Sequence, residues 1–303
     1  GFEKENPDVK IKVTAIPWSS AHDKLQTAIA AGNGPDLAQM GTTWMADFSN
    51  SFSTVPDNLD MSDFSDGSRA TGQVDGKQLG VPWYIDTRVL YYRTDIAGMA
   101  GWNKAPKTWN ELKRMAKDMQ KVDGVKYGMS LNSSGTDAFL GTLPFSYSAG
   151  ASLTNEEQTK WTFDDNGIKK GLNFTTSLYR DGIVDVNADV SSGADIANFV
   201  SGSTPMMLQG PTAVSQINEL GGDGFESKYA TVILPSMNES SGPATSFVGG
   251  CNLVTFKDSK NKQSAWKFIQ WASKPEVQAE WYKKSSDLPA SQKAWDEDAL
   301  SGN

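Results

Sequence analysis

The chain has 303 residues, of which 38% are hydrophobic and 21% are charged, and its net charge is −8. An acidic balance without clustered Lys and Arg disfavours binding to nucleic acid or to an anionic membrane surface. One cysteine, Cys251, and one histidine, His22, exclude an intrachain disulfide and a closed Cys/His zinc site. Because the length exceeds what one hydrophobic core usually supports, we expect two lobes.

The first third of the chain predicts strands and helices in alternation. Residues 9–15 alternate as a strand, and a helix with a capping-box pattern begins at Ser20. A short strand over 36–40 then leads into the loop Gly-Thr-Thr-Trp. The stretch GVPWYIDTRVLYYRTDI, residues 80–96, is rich in β-branched and aromatic residues, which predicts a longer strand. By strand periodicity Tyr84, Asp86 and Arg88 share one face of it, and Trp83 points the other way.

The rest of the chain continues this alternation. Thr108 and Glu111 have capping-box spacing, which predicts a helix that begins there. Further helices are predicted over 136–148, 166–181, 194–200, 263–272 and 276–284 and after 212, and further strands over 124–131, 206–209, 232–234 and 247–256. Such alternation is typical of an α/β fold with largely parallel sheets.

The common catalytic motifs are missing from the sequence. It has no G-x-S-x-G, no G-x-x-x-x-G-K and no G-x-G-x-x-G. Residues 164–167 resemble part of a calcium loop but lack the later glutamate, so a turn is the better interpretation. No metal ion or cofactor is expected. The carboxylate pair of a glycosidase has no fixed spacing in sequence, so an enzyme stays an alternative.

Six segments, in order along nearly the whole chain, resemble the extracellular solute-binding proteins of ABC importers, in the sugar-binding family that includes maltose-binding proteins. They are FEKENPDVKIKV, AAGNGPDLAQMGTTW, DGKQLGVPWYIDTRVLYYRTDI, PKTWNELKRMAKDM, FVSGSTPMMLQGP and SFVGGCNLVTFKDSKNKQSAWKFIQWASKPEVQAEWYKKSSDLPA. The resemblance implies an α/β, two-lobed periplasmic-binding-protein-like (type II) fold whose cleft closes about a hinge.

The resemblance also implies domain boundaries. Lobe one is expected over 1–92 and 241–286, lobe two over 93–240, and the start of a C-terminal lobe-two region over 287–303. The family's first strand and its terminal helices have no counterpart in the sequence, so we expect truncation at both ends.

The function implied is capture of a di- or oligosaccharide and its delivery to membrane permease subunits, without catalysis. The resemblance implies a monomer outside the cytoplasm, either periplasmic or lipid-anchored at the cell surface. One alternative is a carbohydrate-active hydrolase that uses Asp86 as a carboxylate. Another is a protein of the same architecture that binds a peptide, a polyamine or an anion.

In the family, the strand corresponding to 80–96 crosses between the lobes beside the ligand. Asp86 is therefore expected to accept hydroxyl hydrogen bonds, and charge-assisted bonds are the stronger kind. Tyr84 is expected to stack on a sugar or to donate its hydroxyl. Arg88 is expected to clamp the ligand or to hold Asp86 in place. The alternative for Asp86 and Arg88 is a structural ion pair near the hinge.

Two further regions carry candidate contacts. Thr43 and Trp44 follow a strand at the position where open α/β sheets bind ligands, and Trp44 is either an exposed sugar platform or a loop anchor. Phe139, early in a lobe-two helix, is a weaker candidate whose alternative is core burial.

The last candidates lie where the family returns its chain to lobe one. Gly250 is expected to allow close backbone approach to the sugar, and Asn252 to offer a donor and an acceptor. Cys251 and Thr212 stand where family members often carry an aromatic residue. Both departures leave smaller contacts for the ligand.

Overall fold

A computed structural model of the chain describes residues 1–132, 138–155, 159–163, 165–191 and 193–301. The chain divides into two compact units. The first unit comprises Gly1–Asp86 and Val248–Asn303, and the second comprises Thr87–Phe247. Each contains both helices and strands, in agreement with the predicted α/β class.

The helices are α1 Phe2–Glu5, α2 Trp18–Ala30, α3 Asp66–Ala70, α4 Thr94–Met99, α5 Trp109–Met119, α6 Leu143–Ser148, α7 Asn166–Arg180, α8 Ala194–Ser201, α9 Ala213–Gly221, α10 Lys262–Ala272, α11 Pro275–Ser285 and α12 Asp298–Ser301. The strands are β1 Leu37–Gly41, β2 Gln73–Val74, β3 Lys77–Gln78, β4 Val81–Asp86, β5 Val89–Arg93, β6 Met206–Gln209, β7 Tyr229–Val232, β8 Gly249–Thr255 and β9 Leu288–Pro289. Short 3₁₀ turns cover Thr42–Trp44, Ser49–Ser51, Ala138–Gly141, Phe225–Lys228 and Lys293–Asp296.

The main sheet of each unit is antiparallel. In the first unit the strand order is β1-β8-β4-β9, and in the second it is β6-β5-β7. The prediction of largely parallel sheets is therefore wrong for these strands. Alternation of helix and strand implies parallel pairing only when one helix joins two neighbouring strands. Here β4 and β8 are neighbours although the whole of 87–247 separates them in sequence.

The boundaries between the units differ from the predicted ones. Residues 89–92 belong to the second unit because β5 pairs with β6 and β7. The sequence predicts 287–303 in lobe two, but the C-terminal stretch belongs to the first unit because β9 pairs with β4. A hydrogen bond also ties this stretch to the first unit: the backbone N–H of Ser291 donates to Gln278 Oε1 at 2.8 Å.

Helix α5 shows how local sequence sets an element. Thr108 Oγ1 accepts the backbone N–H of Glu111 at 3.2 Å, and Glu111 Oε2 accepts the N–H of Lys107 at 2.7 Å. The predicted start of this helix is thus confirmed. Its apolar face, formed by Leu112, Met115, Ala116 and Met119, is fully buried in the core of the second unit.

Several predicted elements are not formed. Residues 9–15 lie outside every described strand and are mostly exposed, and 124–131 contributes only an isolated bridge from Ser130 to Met207. Alternation makes a segment suitable for a sheet, but a strand also needs a paired neighbour. The predicted helix start at 136–137 lies outside the described residues; helical structure is described from Ala138 onward.

Candidate ligand-binding site

Three polar side chains meet on the sheet of the first unit, each from a different strand. The Sγ–H of Cys251 on β8 donates to Tyr84 Oη on β4 at 3.1 Å. The side-chain amide of Gln39 on β1 donates to Tyr84 Oη at 3.5 Å and to Cys251 Sγ at 3.6 Å. Antiparallel pairing of β8 with both neighbours, with Cys251 opposite Gly41 and Tyr84, produces this convergence. We call Gln39, Tyr84 and Cys251 the polar triplet.

Burial dominates the electrostatics of the triplet. It raises the pKa of Cys251 to about 12, and hydrogen bonds with Tyr84 and Gln39 oppose this rise while the charges of Asp287 and Asp86 add to it. Burial likewise raises the pKa of Tyr84, helped by Cys251 and then by the same two carboxylates. The phenol and the thiol therefore stay neutral, next to two acidic groups. The region therefore combines carboxylate acceptors with neutral donors.

Asp287 is a member of this region that the sequence pattern did not indicate. The pairs Tyr84–Pro289 and Ile85–Leu288 bring the next residues, Asp86 and Asp287, to adjacent positions of β4 and the segment before β9. Asp287 is 6% exposed. Its Oδ2 accepts the indole N–H of Trp281 at 2.8 Å. The proximity of Asp86 and Asp287 is evident only from the register of the two-residue strand β9, and no local sequence motif predicts so short a strand.

The structure decides between the two interpretations of Trp44. Its side chain is 3% exposed and belongs to a core cluster with Met40 and Phe52. The prediction of an exposed ring is therefore wrong, and Trp44 is a loop anchor. Thr43 beside it is exposed at the end of β1. Trp18, whose ring contacts Trp44 edge to face at 5.1 Å, is 44% exposed and is the neighbouring indole that reaches the surface.

Asn252 and Gly250 have structural explanations in the first unit. Asn252 is fully buried, and its amide nitrogen donates to the carbonyl oxygen and the hydroxyl of Thr71, both at 3.2 Å. It follows Cys251 on β8 and so faces away from the triplet, which corrects the prediction that it contacts a ligand. Gly250 has φ +118°, and a Cβ there would overlap the carbonyl oxygen of Tyr84. A glycine is therefore needed here because the backbone of β8 lies very close to that of β4.

The remaining candidates lie in the second unit. The backbone N–H of Arg88 donates to Ser246 Oγ at 3.2 Å, and its guanidinium lies 5.8 Å from the ring centroid of Phe247. Thr212 precedes α9, and its carbonyl accepts the hydroxyl of Ser215 at 2.9 Å. Phe139 is 37% exposed, where core burial was the alternative. It lines a cavity of about 540 Å³ whose wall also includes Thr142, Ser146, Thr175 and Leu172.

Two kinds of feature are absent from the part of the chain that the structure describes. No group of three or more His, Cys, Asp or Glu side chains is placed to hold a metal ion. No described helix combines the length and the apolar composition needed to cross a membrane.

The raised pKa of Cys251 predicts a slow thiol. At about pH 9 the native protein should react with iodoacetamide at least about a hundredfold more slowly than the unfolded chain, because only the thiolate attacks. The native rate should also keep rising with pH beyond the point where the unfolded rate levels off. Mass spectrometry of quenched samples measures both rates, and Cys251→Ser supplies the blank. Equal rates in the native and unfolded chain would contradict the buried, neutral thiol.

A profile of the family described as bacterial extracellular solute-binding protein matches residues 1–279 of the chain. Among curated relatives, the galactooligosaccharide-binding protein of Bacillus subtilis (strain 168) is 24% identical over 303 residues, which cover 95% of this chain and 68% of that protein.

Solved structures give a matching result for the fold. The sugar-binding protein MalE of Xanthomonas citri is 32% identical with a TM-score of 0.78, and the match covers all of this chain and 77% of that one. Maltose-bound MalE3 of T. maritima is 25% identical with a TM-score of 0.87, over 99% of this chain and 78% of that one.

Proposed function

Because the chain belongs to the bacterial extracellular solute-binding protein family, we propose that it is the substrate-binding component of a carbohydrate ABC importer and binds a di- or oligosaccharide. The named functions of its relatives support a sugar as the ligand, since they include galactooligosaccharide binding and maltose binding. These relatives are substrate-binding proteins rather than enzymes.

The observation that carries the proposal is the chemistry around the polar triplet. A sugar presents many hydroxyl groups, each of which donates and accepts a hydrogen bond. The carboxylate of Asp86 accepts, and the neutral hydroxyl of Tyr84 is held on strand β4 by Cys251 and Gln39. Fixed polar groups of this kind orient a ligand in a binding site. Trp18, partly exposed and in ring contact with Trp44, adds an aromatic ring on which the apolar face of a pyranose can be buried.

Membership of this family supports a wider role. We propose that the protein acts outside the cytoplasm, either in a periplasm or lipid-anchored at the cell surface, and as a monomer delivers its sugar to permease subunits. Arg88, Phe139 and Thr212 are proposed as contacts contributed by the second unit.

The test is a calorimetric titration with α- and β-glucosides, xylo-oligosaccharides and galactosides. One of them should saturate a single site on the full-length protein. For that sugar, Asp86→Ala should raise the Kd about tenfold to a hundredfold, which corresponds to losing a hydrogen bond to a charged group worth about 1.5 to 3 kcal/mol. Asp86→Asn keeps an acceptor and should fall between that variant and the wild type.

Asp57→Ala is the matched control, because Asp57 is an exposed aspartate of the same unit. It should bind like the wild type. An unchanged Kd in Asp86→Ala would remove Asp86 from the site, and absence of heat with every sugar on a folded full-length protein would overturn the proposed function. Release of reducing ends during the titration would favour the hydrolase alternative.

A further inference from the structure

Four aromatic rings attach helix α2 to the turn that follows β1. The ring centroid of His22 on α2 lies 5.2 Å from that of Trp44 and 4.9 Å from that of Phe48. Trp44 also contacts Trp18, the first residue of α2, at 5.1 Å. We call Trp18, His22, Trp44 and Phe48 the ring cluster. Through it the turn Thr42–Trp44 rests on α2.

Packing, rather than hydrogen bonding, holds Trp44 in this cluster. The side chain is 3% exposed, and its Nε1–H has no hydrogen-bond partner in the part of the chain that the structure describes. The position of the ring therefore depends on the rings around it. Because Thr43 precedes Trp44 in the same turn, a shift of the indole moves the exposed candidate contact as well.

His22 is the member of the ring cluster that can change its charge. Its Nε2 lies 3.1 Å from Asp47 Oδ2, and its Nδ1 lies 3.8 Å from Asp23 Oδ1. Asp47 is in the chain segment just after the turn, whereas Asp23 is on α2 itself. In the part of the chain that the structure describes, these two carboxylates are the ion-pair partners of the imidazole. A neutral imidazole donates through one nitrogen only, whereas a protonated one donates through both.

We propose that His22 is a positioning residue for the turn Thr42–Trp44, and that its protonation strengthens ligand binding by clamping the turn between α2 and Asp47. Histidine ordinarily changes charge between about pH 5 and pH 8. In the neutral ring that donates from Nε2 to Asp47, the lone pair of Nδ1 faces Asp23. Protonation removes this repulsion, and the positive charge of the ring strengthens its hydrogen bond to Asp47. The inference rests on the proposed function, since it concerns the same site.

The first arm of the test compares saccharide affinity at about pH 5.5 and about pH 8. The wild type should bind about twofold to fivefold more tightly at the lower pH, the size expected of a partly exposed ion pair. His22→Gln keeps a donor for Asp47 but cannot titrate, so it should lose this ratio and keep binding. Asp57→Asn, an exposed substitution elsewhere in the unit, should keep the wild-type ratio.

The second arm needs no ligand. His22 is the only histidine of the chain, so its imidazole signals in NMR give a single titration curve. The indole N–H signal of Trp44, assigned with Trp44→Phe, should shift with the same midpoint, and this shift should vanish in His22→Gln. The indole signal of Trp109, a buried tryptophan of the second unit, should stay in place.

The outcomes separate the two ideas. A Trp44 signal that ignores the titration of His22, or an unchanged affinity ratio in His22→Gln, overturns the positioning role while saccharide binding stands. Absence of saccharide binding at both pH values overturns the proposed function, and the Trp44 titration then decides the coupling to His22 separately.

Discussion

Replacing Arg93 with alanine is expected to lower the free energy of unfolding by about 3 kcal/mol, because it leaves buried polar groups without their donor. Arg93 is 7% exposed. Its Nε and Nη2 donate to the two carboxylate oxygens of Asp95 at 2.9 and 2.6 Å. Its Nη1 donates to the carbonyls of Phe199 and Val200, in the last turn of α8, at 3.1 and 2.8 Å, and the guanidinium lies 4.9 Å from the ring centroid of Phe225.

Urea unfolding followed by circular dichroism measures this loss, and two variants locate its cause. Arg93→Lys keeps the charge but not the planar fork, so it should fall between alanine and the wild type. Arg114→Ala removes an exposed arginine that lies 5.1 Å from the ring centroid of Trp102, and should cost only about 0.5 to 1 kcal/mol. Equal losses for Arg93→Ala and Arg114→Ala would show that the buried contacts add nothing.

The pH dependence of the Arg93 effect follows from its partner. Burial alone would raise the pKa of the Asp95 carboxyl, but hydrogen bonds from Arg93 and from the N–H of Ile96 lower it overall. A carboxyl whose folded-state pKa is lowered stabilises the fold above its unfolded pKa, and this contribution is lost as the pH falls. The difference between Arg93→Ala and the wild type should therefore shrink below about pH 4.

Gly250→Ala is the second large effect, again about 3 kcal/mol of unfolding free energy. Two costs combine: a backbone at φ +118°, which residues with a side chain rarely adopt, and overlap of the new Cβ with the carbonyl oxygen of Tyr84. Strand β4 must move to relieve the overlap. Because β4 carries Tyr84 and Asp86, saccharide affinity should fall together with stability.

Gly76→Ala separates these two costs. Gly76 has φ +72°, and nothing lies within 4 Å of the position of an added Cβ. This substitution should therefore cost only about 1 kcal/mol, the conformational part alone. Denaturant midpoints of the two variants, measured in parallel, provide the comparison. The crowding explanation fails if both variants lose the same stability.

What the sequence predicts well in this protein is local or shared with relatives. The cap at Thr108 and the buried face of α5 follow from side chains within one helical turn, where a pattern has a single meaning. The family resemblance, inferred from six ordered segments, is confirmed by the profile match over residues 1–279. Tyr84, on the polar face predicted for strand 80–96, lies in the polar triplet, and its contact with a ligand stays a prediction.

What the sequence predicts poorly depends on contacts between distant residues. The antiparallel direction of the sheets depends on which strands are neighbours, and residues 9–15 alternate correctly without pairing in the structure described. The sequence leaves Trp44 as either an exposed platform or a loop anchor, and only its packing with rings from α2 and the following loop decides for the anchor. Asp287 joins the site only through the register between β9 and β4. The pairing of Tyr84 with Cys251 likewise depends on a bulge in β4 between Pro82 and Tyr84.

The hydrogen bond from the Arg88 N–H to Ser246 has a consequence for how the chain folds. It joins the two ends of the second unit. Once this unit has folded, the entropy cost of bringing those two ends together has already been met. Pairing of β4 with β8 would otherwise require closing a very long flexible segment, and such non-local contacts form slowly. If the second unit folds first, its two ends hold β4 and β8 close together, and the two strands can pair as they would in a hairpin. We therefore expect an ordered folding pathway, in which 87–247 gains its protection from hydrogen exchange before the sheet of the first unit does.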